Sequence, residues 1–452
     1  MLKKKNQAGV LVIIALVLVA SLLVTGCKKD SKLKGARVVF ASWSGAYNID
    51  TYEPRNEGEE EQLEFRKKFM SDTGVWIESV ELSDWDGYFQ IAANNIMAGN
   101  KDYSVYTMPA DWAMTLYRQG LLFPISDSSY KMTNRVEVAK EKAAYNKMME
   151  DLFTFNGKTY AFTPGLGGFS WQGNFIFFNK RLFREAGLDP DLPFNMQRDG
   201  TWTWDNFFEI CKQLTRDINN DGVIDIYAFP SDDIRELMYA LVYSNNGNFV
   251  TIDSAGKYQN ATTTPEFMEA LGFFQRLVNE GVVKMRREGI DEWGWNFSEF
   301  FDGRVAMCFD PEWRQGQLPD MEDDYGIVLA PKGPRATNYR TSLTEVVMVI
   351  PNFFTKEEVD IILEAVDFWN IPMDTDWKQG YYWAYRDRRS VDETMALQKQ
   401  PGIAVYRDFA IVPGFPTDGM IYDERWWEMG TPAQIVESWA PRIQAALNDA
   451  NR

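Results

Sequence analysis

Residues 37–80 read RVVFASWSGAYNIDTYEPRNEGEEEQLEFRKKFMSDTGVWIESV, and three segments within them decide the fold. Arg37-Val38-Val39-Phe40 is a short apolar strand that ends at Ser42-Trp43-Ser44-Gly45. A helix pattern runs from Glu59 to Met70, with Leu63, Phe65 and Phe69 available for burial. Val75 to Val80 is then a second strand, rich in β-formers. Strand, helix, strand in that order predicts a parallel α/β unit.

The same alternation continues outward. Phe175-Ile176-Phe177-Phe178 is a continuous apolar run between Asn174 and Asn179, as a strand buried on both faces requires. Thr203 is placed to cap a helix starting at Trp204. Phe267, Leu271, Phe274 and Val278 recur at helical spacing. Val346–Ile350 reads as a strand and Val359–Trp369 as an amphipathic helix. No internal repeat or low-complexity linker is visible, so the lobes of this α/β chain are joined by several short crossings.

The N-terminus has a different character. Lys3, Lys4 and Lys5 precede an apolar run from Val10 to Val24, broken only by Ser21. A basic start, an apolar stretch and small residues before a cut site are the parts of a secretory signal. The run is shorter than the roughly 20 residues that a membrane span needs. It ends at Leu23-Val24-Thr25-Gly26-Cys27, which resembles a bacterial lipobox. That motif implies cleavage before Cys27 and lipidation of its thiol, with residues 27–35 as a Lys-rich tether.

Charge and absences narrow the function. The chain carries a formal charge of −18, and loss of the three signal lysines takes it to −21. Such a surface repels nucleic acid and anionic lipid. There is no histidine, which removes Ser-His-Asp and Cys-His catalysis and His-ligated zinc sites. Asn156-Gly157-Lys158-Thr159 lacks the upstream Gly of a phosphate-binding loop, since residue 152 is Leu, and reads as a tight turn between strands. Cys211 and Cys308 read as buried thiols rather than a disulfide.

These segments, taken in order, resemble the family 1 extracellular solute-binding proteins of ABC importers, the maltose-binding-protein-like group. The resemblance rests on Phe69-x5-Val75-x2-Glu78, Asp111-Trp112, Gly120-Leu121-Leu122-Phe123-Pro124-Ile125 and Asn156 to Pro164. It continues through Phe178-Asn179-Lys180, Ala186-Gly187-Leu188, Trp202-Thr203-Trp204-Asp205, Phe301 to Met307, Trp313, Ala330 to Pro334 and Thr431-Pro432-Ala433. It implies an α/β, two-lobed periplasmic-binding-protein-like fold of type II, with hinge strands joining the lobes around a ligand cleft. After the signal peptide (1–26), the first lobe is expected at 36–165 with a return at 336–375. The second is expected at 166–335 and 376–452.

The family resemblance and the composition both point to carbohydrate. Sixteen Trp and twenty Tyr suit the apolar C–H faces of sugar rings, and pockets commonly pair apolar walls with a few polar groups. Most of these aromatics are expected to be core, so only those in strand-to-helix loops are selected. Trp43 follows the first strand, where α/β sheets form ligand crevices. Asp111 and Trp112 precede a helix, with an N-cap as the alternative role for Asp111. Trp171 and Gln172 follow the Gly165–Gly168 stretch. Asp232 and Arg235 lie in a polar turn before a helix, Trp313 is carried over from the resemblance, and Trp383 sits in Tyr381-Tyr382-Trp383.

Asp217-x-Asn219-x-Asp221-Gly222-Val223-x-Asp225 resembles the start of an EF-hand loop, in which Val223 supplies its carbonyl. The twelfth position is Ala228, so the bidentate acid is missing. A structural calcium ion competes here with a self-capped Asp/Asn turn; no cofactor is required.

The reading is therefore a non-enzymatic, monomeric binder on the outer face of a cell membrane, anchored through Cys27 in a Gram-positive host. Its expected partners are a carbohydrate and the permease subunits of an ABC transporter. The competing readings are a binder of a peptide or polyamine, and a cell-surface glycan hydrolase or adhesin.

Overall fold

A computed structural model describes residues 32–54, 57–130, 150–163, 172–231, 234–285, 294–344, 346–370, 377–417, 420 and 426–452. Strand β1 (Arg37–Ser42) lies between β2 (Trp76–Glu81) and β3 (Val105–Pro109) and runs parallel to both. Helix α1 (Glu57–Thr73) connects β1 to β2, and α2 (Trp85–Met97) connects β2 to β3. Helix α1 buries Leu63, Phe69 and Met70, so its apolar face is the one the sequence pattern names, with Phe65 half-buried. Strand β3 passes directly into α3 (Ala110–Arg118). A strand at Val346–Val349 pairs antiparallel with β3, and Ala161–Phe162 closes this first sheet.

The second sheet is built on Gln172–Asn179, which contains the predicted apolar run. Phe175, Ile176, Phe177 and Phe178 are at most 2 % exposed. Burying each of these contributes roughly 1.5–3 kcal/mol relative to exposure. This strand pairs antiparallel with Met307–Pro311, Tyr325–Val328 and Thr341–Thr344. Ala404–Val405 adds a parallel edge.

The crossings between the sheets sharpen the lobe boundaries. Thr341–Thr344 was expected in the first lobe's return but hydrogen-bonds within the second sheet. The return strand begins at Val346, because only there does the chain meet β3. The expected boundaries at 166 and 376 fall outside the described residues. Residues beyond 377 pack on the second sheet: the Tyr325 hydroxyl donates to the Ala384 carbonyl, and Gln197 Nε2 donates to Thr394 Oγ1 at 2.9 Å.

The C-terminal helix Pro432–Ala450 packs on Pro265–Asn279 and on Tyr258–Asn260. Its last carbonyls accept from Arg118 of α3, with Nη2 at 2.8 Å from the Ala450 oxygen. A guanidinium at a helix C-terminus satisfies open carbonyls and meets the negative end of the dipole. This contact ties the two lobes away from the crossings. No described helix is long and apolar enough to cross a membrane.

Local expectations are met in their particulars. Asn156 and Gly157 have φ of 52° and 75° and turn Thr154–Phe155 back on Lys158–Thr159. Cys211 and Cys308 are free and buried. Thr203 stands at the N-cap of Trp204–Leu214, but its side chain makes no capping bond.

Gly326 marks the tightest packing in the second sheet. A Cβ there would lie 2.4 Å from Phe178 Cζ and 2.6 Å from Phe194 Cζ. The two rings meet edge to face at 5.0 Å and cannot both retreat. Gly326→Ala should destabilise the chain by about 1–3 kcal/mol through overpacking, read as a lower urea midpoint at unchanged m-value.

Candidate functional site

The parallel pairing of β1, β2 and β3 brings their C-terminal ends to one edge of the first sheet. Three tryptophans collect there. Trp43 follows β1, Trp85 opens α2 after β2, and Trp112 lies in the first turn of α3 after β3. The Trp43 and Trp85 rings meet at 5.2 Å, nearly perpendicular, and Trp85 meets Trp112 at 4.9 Å. Tyr88 lies beneath: its ring is 5.8 Å from Trp43 and 6.1 Å from Trp112. The Tyr88 hydroxyl donates to the Ala41 carbonyl at 2.8 Å, which fixes it to β1. Its burial pushes the phenol well above its ordinary pKa.

Trp85 is 50 % exposed, so the cluster offers one open aromatic face on a packed base. Sequence reading selected Trp43 and Trp112 but passed over Trp85. The missed signal was the dipeptide itself: Asp84-Trp85 repeats Asp111-Trp112 at the same strand-to-helix junction. Asp84 caps α2 by accepting the Gly87 N–H at 3.0 Å. Asp111 is not the cap of α3, because Pro109 holds that position; Asp111 is an exposed first-turn residue.

On the second sheet, Trp313 lies in the turn Glu312–Gly316 after strand Met307–Pro311. The Arg314 guanidinium sits over the Trp313 ring at 4.2 Å and over Phe297 at 5.0 Å. Arg314 Nε donates to Asp310 Oδ1 at 3.1 Å, and Asn296 donates to Asp310 Oδ2 at 2.7 Å. A buried ion pair therefore braces the indole from one side. Burial pushes the Asp310 carboxyl up to about 6, against the opposing pull of Arg314 and Asn296. Close by in sequence, Glu312 is buried and hydrogen-bonds Tyr381.

The remaining described candidates lie on other elements of the chain. Trp383 is 38 % exposed at the end of the short helix Gln379–Tyr382. Trp171 and Asp232 lie outside the described residues. Gln172 opens its strand with its backbone opposite Thr344, and Arg235 lies in the helix Ile234–Ser244. One residue on, Glu236 forms a buried ion pair with Arg407, whose guanidinium covers the Tyr239 ring at 4.6 Å. Sequence spacing of 171 residues hid that pair.

One side-chain oxygen of each of four residues in the Asp217–Asp225 loop accepts from the loop's own backbone, while Asp217 Oδ1 is buried without a hydrogen-bond partner among the described residues. Asp217 accepts from Gly222, Asn219 from Asp221, Asp221 from Val223 and Asp225 from Ile218, at 2.7–2.8 Å. Among the described residues, no group of three acidic side chains gathers as a metal site. The loop backbone is held by a pairing of Arg216 with Ile226 and by Asn220 and Gly222 at positive φ.

Residues 64–368 match the family described as bacterial extracellular solute-binding protein. Solved structures agree in fold over 92 % of this chain at low identity. Cyclic α-maltosyl-1,6-maltose binding protein from Arthrobacter globiformis is 14 % identical, with 99 % of its chain covered and a TM-score of 0.64. UgpB from Mycobacterium tuberculosis, in complex with glycerophosphocholine, is 17 % identical, with 99 % covered and a TM-score of 0.63. An ABC substrate-binding protein from Listeria monocytogenes, in complex with cycloalternan, is 16 % identical, with 98 % covered and a TM-score of 0.58. A search of curated proteins finds no match.

Buried carboxyls make the site's lobe pH-sensitive. Asp408, wholly buried, accepts from the Tyr243 hydroxyl and the Phe249 N–H, yet burial pushes it up to about 7. Asp310 and Asp408 therefore hold protons in the folded state that the unfolded chain releases near pH 4. Their contribution to stability is full below that pH and is lost as pH rises through about 6 and about 7. Between pH 5 and 8 the urea midpoint of Asp408→Asn should fall less steeply than that of the wild type.

Proposed function

The chain belongs to the bacterial extracellular solute-binding protein family, and from that premise we propose that it captures an oligosaccharide and presents it to an ABC permease. The observation that carries this reading is the tryptophan cluster at the ends of three parallel strands, half open and flanked by Asp84, Asp86 and Asp111. A sugar ring stacks its C–H face on an indole, and carboxylates beside the rim accept its hydroxyls. A purely alkyl ligand offers those carboxylates no donor. Trp313, braced by Arg314, is the aromatic contribution of the other lobe.

Enclosure follows from the two-sheet architecture. A solute touching both lobes has its full contact set only when they close, so binding shifts the population toward the closed state. The permease reads that state, and no covalent chemistry is needed. Cellular placement comes from the N-terminus: lipid on Cys27 keeps the trap near its transporter. Acyl chains contribute roughly 0.8 kcal/mol per buried CH₂, so two or more hold stably.

A second reading has one observation behind it. Perpendicular indoles backed by acids, on a strongly acidic chain, also suit a quaternary ammonium group, which aromatic faces attract. The glycerophosphocholine held by the UgpB structure is a solute of that kind.

Thermal-shift screening separates these readings. Oligosaccharides, choline esters, polyamines and peptides should be compared, with release of reducing ends followed in parallel. The expected result is a shift with an oligosaccharide and no release of reducing ends. A shift with choline esters alone selects the second reading, and release of reducing ends overturns both. Trp85→Ala and Trp112→Ala should each weaken the bound solute by about tenfold to a hundredfold, or about 1.4–2.7 kcal/mol, by calorimetry. Trp85→Ala should leave the ligand-free melting temperature nearly unchanged, because the ring is half exposed.

A further inference from the structure

Among the described residues, Leu33 is the first that is buried, 1 % exposed and in one apolar cluster with Val38, Phe69, Val75 and Ile77. Its position is fixed by Gly35, whose N–H donates to the Gly74 carbonyl at 2.9 Å. Only six peptide steps separate Leu33 from Cys27. Fully extended, they span about 20 Å. If Cys27 carries lipid, the surface around Leu33 cannot leave the neighbourhood of the bilayer.

That surface has an unusual make-up for so acidic a chain. Trp76, opposite Arg37 on the edge strand β2, is 39 % exposed. It borders a shallow hollow of about 370 Å³, lined also by Ile49, Asp50, Lys67, Met70 and Ser71. Lys34 lies beside Gly74 at the same place, and Lys32, Lys67 and Lys68 are exposed nearby in sequence or space. Two of the local acids are engaged: Asp72 pairs with Lys68 at 2.6 Å, and Glu78 pairs with Arg37. Asp50 is the acid of the hollow itself. Among the described residues, Lys34 and Lys67 have no ion pair. Tryptophan and lysine are the residues that settle at a lipid headgroup layer.

We propose that this face of the first lobe, Trp76 with Lys34 and Lys67 around the Leu33 anchor, rests on anionic phospholipid headgroups. The inference depends on the lipid reading of Cys27. Strand β1 begins at this face with Arg37 and ends at Ser42, one residue before Trp43. Seated so, the lobe turns its tryptophan cluster away from the bilayer, toward incoming solute.

The full-length lipidated chain, placed in phosphatidylcholine–phosphatidylglycerol vesicles carrying a headgroup quencher, provides the test. Cys211 and Cys308 are buried, so a fluorophore can be directed to Ser71→Cys or, as a control in the C-terminal helix, Gln444→Cys. Quenching at position 71 should exceed that at 444 by about threefold or more. Adding Trp76→Ala and Lys34→Glu should remove most of that excess while solute affinity stays unchanged. Equal quenching at both positions with Cys27 acylated overturns the proposal and leaves the anchor intact. A fluorophore on Cys27 itself shows that it lacks lipid, and both then fall.

Discussion

Strand β1 pairs in parallel with a neighbour on each side, and the rest of the molecule depends on that constraint. Parallel strands need crossovers, so α1 and α2 must return over the sheet before β2 and β3 can form. Every strand-to-helix turn then falls at the same sheet edge. Trp43, Trp85 and Trp112 meet because each is the first aromatic after such a turn, although 69 positions separate the outer two. Topology, rather than local sequence, assembles the tryptophan cluster.

The second lobe solves a different problem. Its central strand is antiparallel to three of its neighbours and apolar from Phe175 to Phe178, and buried charges near the site stand in pairs. A buried ion pair adds little net stability, but removing one partner leaves an uncompensated charge. Asp310 and Arg314 thus hold Trp313 in one orientation at modest cost. Arg118 against the last carbonyls of the C-terminal helix and the packing of α3 on Asp408–Ile411 are contacts that lobe movement must respect.

Strands and helices were legible where burial is periodic. The α1 face, the Phe175–Phe178 strand and the Asn156-Gly157 turn each follow from short-range patterns that the native environment does not override. Among the proposed site residues, Trp43 and Trp112 are picked out by position after a strand, which is itself a signal. Trp85 carried the same signal without being read. Glu236 with Arg407 could not be found from spacing, since 171 positions separate them, and Asp310 with Asn296 is made by the packing of a helix on the strand that follows it. The return to the first lobe is expected from residue 336, whereas Thr341–Thr344 pairs within the second sheet and Val346–Val349 within the first, a division that only the hydrogen bonds reveal.

Closure of two lobes on a shared solute is the central claim, and small-angle X-ray scattering tests it directly. With an oligosaccharide that raises the melting temperature, the radius of gyration should contract at saturation, and Trp313→Ala should lessen that contraction. A radius of gyration that stays the same in free and saturated protein would contradict the account.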